Sequence, residues 1–327
     1  MNSIRFPLIL LSLAVLAGCQ SVKKAPGRET RPTTPPASTG APPPVSAPTA
    51  DVDEPAPPTS EEPLAPEPVT PPRPETRAAK IGLILGPGGM RAWAHAGVLQ
   101  EIHRSQLPIQ FIAGLEMGAL PAALYSAKPQ AFEPEWQMSK LKDEDFVRRT
   151  LIGGSQAVDL KDWRPYFQAQ FGATRIDDAR IPFACLTYQN EKQQILILNK
   201  GGYAQAMPFC LSYPPIFRGY EGHMAAASQL TVLAKYMRQK GATHLIYVDV
   251  LGDRGRLLPA RGDENVQLIW NLTQAHLTSQ ATLVDDVLRI PLSDEITSFS
   301  RRRDMIKQGK EAAAKGLKPI LKKYGLD

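Results

Sequence analysis

Two glycine-rich turns hold the residues whose types and spacing suit chemistry. The first, Gly86-Pro87-Gly88-Gly89-Met90-Arg91, runs into a stretch with helical spacing. A turn of this kind presents backbone N–H groups at a helix N-terminus, which attracts negative charge. The second, Gly114-Leu115-Glu116-Met117-Gly118, puts a carboxylate at the same kind of strand–turn–helix junction. A glutamate ordinarily titrates near 4.3, and a helix N-terminus favours its ionised form. Glu116 is therefore expected to be a fixed anion beside several N–H donors. As a nucleophile it would need a partner acid or a metal, as carboxylates do at glycosidic and phosphoryl centres. With an ester it would form a mixed anhydride, of little use without a base to activate water. The first turn does not suit a dinucleotide: Gly86-x-Gly88 lacks a third glycine, Arg91 standing in its place, and no clean strand-terminal acid follows about 20 positions on.

The other candidates are simpler. The five histidines (His95, His103, His223, His244 and His276) show no metal-ligand spacing, so no metal and no cofactor are expected. His95 fits a packing role beside the first turn, and Arg91 either fixes that turn through hydrogen bonds or binds an anion. Cys185 and Cys210 are open between a disulfide and free buried thiols.

The elements that must position these turns alternate. Lys80–Leu85 and Gln110–Ala113 read as short buried strands, each ending in a glycine. Helical patterns follow at Arg91–His103 and Met117–Ser126. Further strands are expected at Ile181–Tyr188, Gln194–Leu198 and His244–Val250, with helices at Leu230–Gln239 and Ser300–Lys323. Such alternation indicates an α/β fold: a mostly parallel central sheet covered by helices on both faces. Ligand chemistry in such sheets gathers at the carboxyl ends of the strands, where both turns lie.

Composition narrows the class. The chain has 327 residues, 43% hydrophobic, with net charge +6 and three cysteines. Past the N-terminus no stretch of about 20 apolar residues suggests a multi-span membrane protein, and three cysteines exclude a disulfide scaffold. Of 31 prolines, 17 fall between residues 20 and 79, a segment nearly devoid of aliphatic residues. It cannot bury enough apolar surface to offset its ordering entropy and is expected to be a disordered linker. Residues 80–327 carry 31 basic against 24 acidic residues, so the positive charge belongs to the part expected to fold. Nine of those cations lie between Arg301 and Lys323 against only Asp304 and Glu311. That basic helix suits either a solvated face or a contact with anionic headgroups or acidic polymers; nucleic acid is not an expected partner.

Residues 1–19 read as an export signal: Arg5, then an apolar run from Phe6 to Ala17 too short to span a bilayer. Its end, Leu16-Ala17-Gly18-Cys19, resembles a bacterial lipobox. The resemblance implies cleavage before Cys19, acyl chains on that residue, and anchoring in the cell envelope. Gln20 in place of an aspartate favours the outer membrane, facing the periplasm, with surface exposure left open.

The two turns together resemble the patatin-like phospholipase family of lipid acyl hydrolases. Gly88-Gly89-Met90-Arg91 and Ala94-His95-Ala96-Gly97-Val98-Leu99 match its glycine-rich loop and the helix after it, with Ala92 in place of a further glycine. Gly114-Leu115-Glu116-Met117-Gly118 aligns with its nucleophile elbow, and Ala206–Phe217 and Gly241–His244 follow later elements of its pattern. The resemblance implies a three-layer α/β domain over residues 80–327, with an oxyanion-type loop at Gly88, Gly89, Met90 and Arg91. It also marks two departures. Glu116 stands where the family has its nucleophilic serine, and the aligned position of its aspartate base falls on Ala225 or Ala226. Glu116 is then expected to fold its carboxylate towards Gly88 and Gly89 and occupy the oxyanion site, against the alternative of a solvated side chain pointing away or pairing with His223.

The function these residues suggest is a lipid-anchored envelope protein that binds a lipid, an acyl ligand or another envelope protein without catalysis. The competing expectation is a hydrolase with relocated groups, Ser212 or Ser228, neither in an elbow context.

Overall fold

The computed structural model describes residues 79–149, 155–252, 257–259 and 262–326. Cys19, the export signal and the proline-rich segment up to residue 78 lie outside the described residues. In chain order the elements are β1 (Ile81–Leu85), α1 (Ala94–Arg104), β2 (Ile109–Gly114), α2 (Ala119–Ala127), α3 (Glu133–Met138), β3 (Arg148–Arg149), β4 (Ser155–Gln156) and α4 (Arg164–Phe171). There follow β5 (Phe183–Gln189), β6 (Gln194–Leu198), α5 (Tyr203–Leu211), β7 (His223–Ala225), α6 (Leu230–Gln239), β8 (His244–Asp249), α7 (Glu264–Gln280), β9 (Asp286–Arg289) and α8 (Arg302–Lys323).

The main sheet runs in the order β6-β5-β2-β1-β8-β9, with β7 paired to β5 off this path. Strands β5, β2, β1, β8 and β9 are parallel, while β6 and β7 are antiparallel to β5. Side chains alternate between faces with the strand period of two. Ile81, Leu83 and Leu85 of β1, Cys185 of β5 and Ile246 and Val248 of β8 share a core with α1, α2, α5 and α8. Ile84, Leu186, Leu245 and Tyr247 point the other way, into a core closed by α6 and α7. Burying one such Leu or Ile contributes about 1.5–3 kcal/mol, so a central strand lined on both faces is held from both sides. This is the three-layer α/β arrangement expected from the alternation.

Several elements carried no clear pattern in the sequence. Helix α7 has little amphipathic contrast: Trp270 and Leu277 are buried while Leu268 and Leu272 are more than half exposed. Its start is set by Asp263, whose carboxylate accepts from Asn265 N (2.8 Å) and Val266 N (3.3 Å). Among the described residues no helix is long and apolar enough to cross a membrane, and no cluster of His, Cys, Asp or Glu could hold a metal ion.

Register places the two turns together. Leu85, the last residue of β1, pairs with Gly114, the last of β2. Both turns therefore leave the sheet at one level, at the carboxyl ends of adjacent parallel strands.

Candidate functional site

The second turn folds tightly against the first. Leu115 N donates to Leu85 O (2.9 Å) and Gly118 N to Leu115 O (2.9 Å). A Cβ on Gly118 would lie 2.4 Å from Gly86 O, so only glycine permits this approach. Glu116, between them, takes a left-handed backbone conformation, φ 48°, which costs a non-glycine residue about 1–2 kcal/mol. That turn aims its side chain inwards, and Glu116 is 1% exposed. Its Oε2 accepts from Gly88 N (2.9 Å) and Gly89 N (3.0 Å). The alternative of a solvated glutamate facing away from the loop is overturned by this geometry.

The expectation of a fixed anion is also corrected. Burial, the larger effect, pushes the Glu116 carboxyl up from its ordinary 4.5 to about 7, while the N–H donors of Gly88, Gly89 and Met117 pull it down. Its Oε1 is buried without a hydrogen-bond partner among the described residues. These N–H groups do not replace the water that a carboxylate loses here. Near neutral pH the charge is therefore conditional.

The loop that receives the carboxylate is pinned from outside. Met90 N donates to Ile296 O (2.8 Å) and Arg91 N to Gly88 O (2.9 Å). Gly89 sits at φ 52° with Ile296 O and Ile216 Cδ1 against it, leaving no room for a Cβ. Arg91, fully buried, donates to Leu251 O (2.7 Å) and, from Nε, to Asp294 O. Of the two roles open in the sequence, these bonds favour fixing the loop. Burial lowers its pKa, against the nearby charges of Asp294, Asp249 and Glu295. His95 Nε2 donates to Gly86 O (2.8 Å), and burial lowers its pKa to about 4. It is a neutral packing group.

Among the described residues, none of the other candidates hydrogen-bonds the carboxylate. Ala225 ends β7 and Ala226 follows it, both buried in the same core as Leu115; Ala225 N donates to Ser212 O (2.8 Å). Methyl side chains there offer no proton acceptor. The conceivable Glu116–His223 pair does not form: His223 Nδ1 bonds Glu221 O (2.7 Å) and its ring packs edge-on to Phe209. Ser212 is fully buried, with its hydroxyl donating to Phe209 O (3.4 Å). Ser228 offers its backbone carbonyl to Gln280 Nε2 (3.0 Å). Cys185 and Cys210, left open in the sequence, are joined as a disulfide.

Sequence reasoning missed Tyr213, Ile216 and Ile296. Burial raises the pKa of Tyr213, its hydrogen bond to Thr273 opposes this, and the Glu116 charge adds a smaller rise; the two isoleucines close over Gly89. Ile216 also lines a cleft of about 540 Å³ with Phe146, Val147, Pro214, Leu258 and Phe299. The Pro214-Pro215-Ile216-Phe217 run was a visible signal for that wall. Ile296 had none, being far from both turns in the chain.

Residues 83–249, about half of the chain, match the sequence profile of the patatin-like phospholipase family. The patatin-like phospholipase domain-containing protein ZK370.4 of Caenorhabditis elegans is 27% identical over 188 residues, covering 52% of this chain and 13% of that protein. The neuropathy target esterase sws of Drosophila melanogaster is 27% identical over 201 residues, covering 56% of this chain and 14% of its own length. The chain thus spans about one-seventh of the length of these curated relatives.

Proposed function

We propose that this chain, which belongs to the patatin-like phospholipase family, is a lipid-anchored cell-envelope protein whose patatin-like domain binds an acyl ligand and does not cleave it. One observation carries this reading: the side chain at the elbow position is a carboxylate, and it already accepts both N–H bonds of the Gly88–Gly89 turn. Ester cleavage at such an elbow needs a hydroxyl, a base to take its proton, and free donors for the oxygen that becomes negative. Glu116 has no hydroxyl and fills the donors, and Ala225 and Ala226 accept no proton. The cleft beside Ile216 lies within the 300–1,000 Å³ typical of small-molecule sites; its mostly phenylalanine, proline and aliphatic lining suits an acyl chain, with Gln156, Asp263 and Thr297 as its polar residues. The anchor on Cys19 would hold the domain at the envelope, where acyl ligands are abundant.

A fluorophosphonate probe applied to the full chain tests the catalytic half of this proposal. We expect no labelling of the wild type and none of Glu116→Ala, since each lacks an elbow hydroxyl. Labelling of the wild type that disappears in Ser212→Ala or Ser228→Ala would overturn it in favour of a hydrolase with relocated groups. Identifying acyl ligands that co-purify from envelope extract by native mass spectrometry tests the binding half. Recovery of the chain without them, together with no binding of added fatty acid, would leave the protein-partner alternative standing.

A further inference from the structure

Two surface features remain that neither the buried carboxylate nor the cleft beside Ile216 uses: a basic face of α8 and an exposed aromatic pair at α3. Helix α8 is held to α1 by a close crossing at Gly97 and Gly309, where each glycine faces backbone of the other helix. Its buried stripe (Met305, Ile306, Gly309, Ala313, Leu317 and Ile320) faces the core. At 100° per residue the exposed cations Arg303, Lys307, Lys310, Lys315, Lys318 and Lys322 fall on an arc that the buried stripe does not share. Among the described residues, Lys307 alone of these six lies within ion-pair distance of a carboxylate, Glu311 at 3.9 Å, and Lys310 is near enough to Glu101 to help lower its pKa. The 22-residue helix thus presents a rail of net positive charge about 30 Å long, in which Asp304, paired with Arg301, and Glu311, paired with Lys307, are the exposed acids.

The second feature is an exposed aromatic pair. Phe132, just before α3, and Trp136, within it, are 62% and 63% exposed. Trp136 N donates to Phe132 O (2.9 Å), so the two rings sit one helical turn apart, opposite the buried Pro134 and Met138. Lys140 Nζ lies 5.7 Å from the Trp136 ring centroid. Helix α3 joins the α1–α8 pair directly: Glu135 bonds Gln100 of α1, and Arg302 of α8 donates to Leu141 O (3.0 Å) just after α3.

We infer that the basic face of α8 and the aromatic pair share one docking face for the surface of an anionic lipid bilayer, the α8 cations lying among the headgroups and Phe132 and Trp136 entering the interfacial zone. Charge complementarity selects the occupant. A row of lysines and arginines attracts anionic headgroups, roughly additively per cation near the surface. Exposed tryptophan and phenylalanine gain at the boundary between headgroups and acyl chains, where lysines also extend their charged ends into water. An acidic polymer would satisfy the cations but give the aromatic rings no apolar phase. The inference stands apart from the Glu116 carboxylate and from the lipid on Cys19, because it concerns contacts that the folded domain makes itself.

The test follows Trp136 rather than total binding, since the N-terminus alone could bring the chain to vesicles. Tryptophan fluorescence of the full chain is compared with that of Trp136→Phe, in vesicles of phosphatidylcholine alone and of equal parts phosphatidylcholine and phosphatidylglycerol. The difference signal is expected to shift to the blue and to be quenched by lipids brominated in their acyl chains, only in the anionic vesicles. The triple variant Lys315→Glu/Lys318→Glu/Lys322→Glu, altered only on the solvent side of α8, should weaken the response on the order of a hundredfold. Absence of Trp136 quenching on anionic vesicles overturns the inference, as does quenching that the triple variant leaves unchanged. Charge-dependent binding without quenching overturns it as well, because the cations would then meet headgroups while the aromatic rings stay in water.

Discussion

Glu116 and His95 flank the same turn with opposite responses to pH. The folded pKa of Glu116 is raised from 4.5 to about 7, so the native state keeps a proton that the unfolded chain releases. Its contribution to stability is present below pH 4.5 and is lost as pH rises through 7. At 1.36 kcal/mol per unit this is about 3 kcal/mol. For His95 the folded pKa is lowered from 6.5 to about 4, so protonation favours the unfolded chain. That contribution is present above pH 6.5 and lost as pH falls through 4. The two slopes oppose one another between pH 4.5 and 6.5 and mask each other in the wild type. Glu116→Gln removes one of them. Its stability relative to wild type, from urea midpoints, should be greater above pH 7 than below pH 4.5 by about 3 kcal/mol. A constant difference would mean that the carboxyl ionises in the native protein as it does in the unfolded one.

The crossing of α1 and α8 shows how elements far apart in sequence depend on single atoms. A Cβ on Gly97 would lie 2.0 Å from Ile306 O, and one on Gly309 2.1 Å from Ala94 O. Backbone cannot yield as a side chain does, so the helices must separate. Gly316 makes a useful contrast, because the atom in its way is the side-chain methyl Leu288 Cδ1 at 2.3 Å. Gly97→Ala and Gly309→Ala should each cost about 1–3 kcal/mol through overpacking, and Gly316→Ala distinctly less once Leu288 changes rotamer. Urea denaturation of the three variants checks this order; equal costs would mean that the crossing is not closely packed in solution. Loosening this contact would also loosen the basic rail from the core. The charge of α8 was plain in the sequence; its partner helix was not, since small residues that let two helices touch carry no periodic signal.

Across the whole molecule, one covalent link joins the sheet to a helical layer. The Cys185–Cys210 disulfide ties β5 to α5 over a sequence separation of 25. Closing a loop of this length removes freedom from the unfolded chain and contributes about 3 kcal/mol in the loop-entropy description. Cys210→Ala should lower the unfolding free energy by about that amount, and reduction of the wild type should produce a similar loss, both read by denaturation in urea. No change on reduction would mean that the thiols are unpaired in the isolated protein. The α/β layering, the central strands and both glycine turns were legible in the sequence alone, because strand and helix periods and glycine-rich turns are local signals. So was the chemical content of the elbow: with Glu116 in place of a hydroxyl, the residue type already separates it from the pattern it resembles. The tertiary structure decided whether that carboxylate faces the first turn, whether it holds its charge, whether the cysteines pair, and which face of α8 is free. Each depends on atoms brought together by register and layer packing. Ile296 over Gly89, Glu135 against Gln100 and the water excluded around Glu116 have no counterpart in nearby sequence.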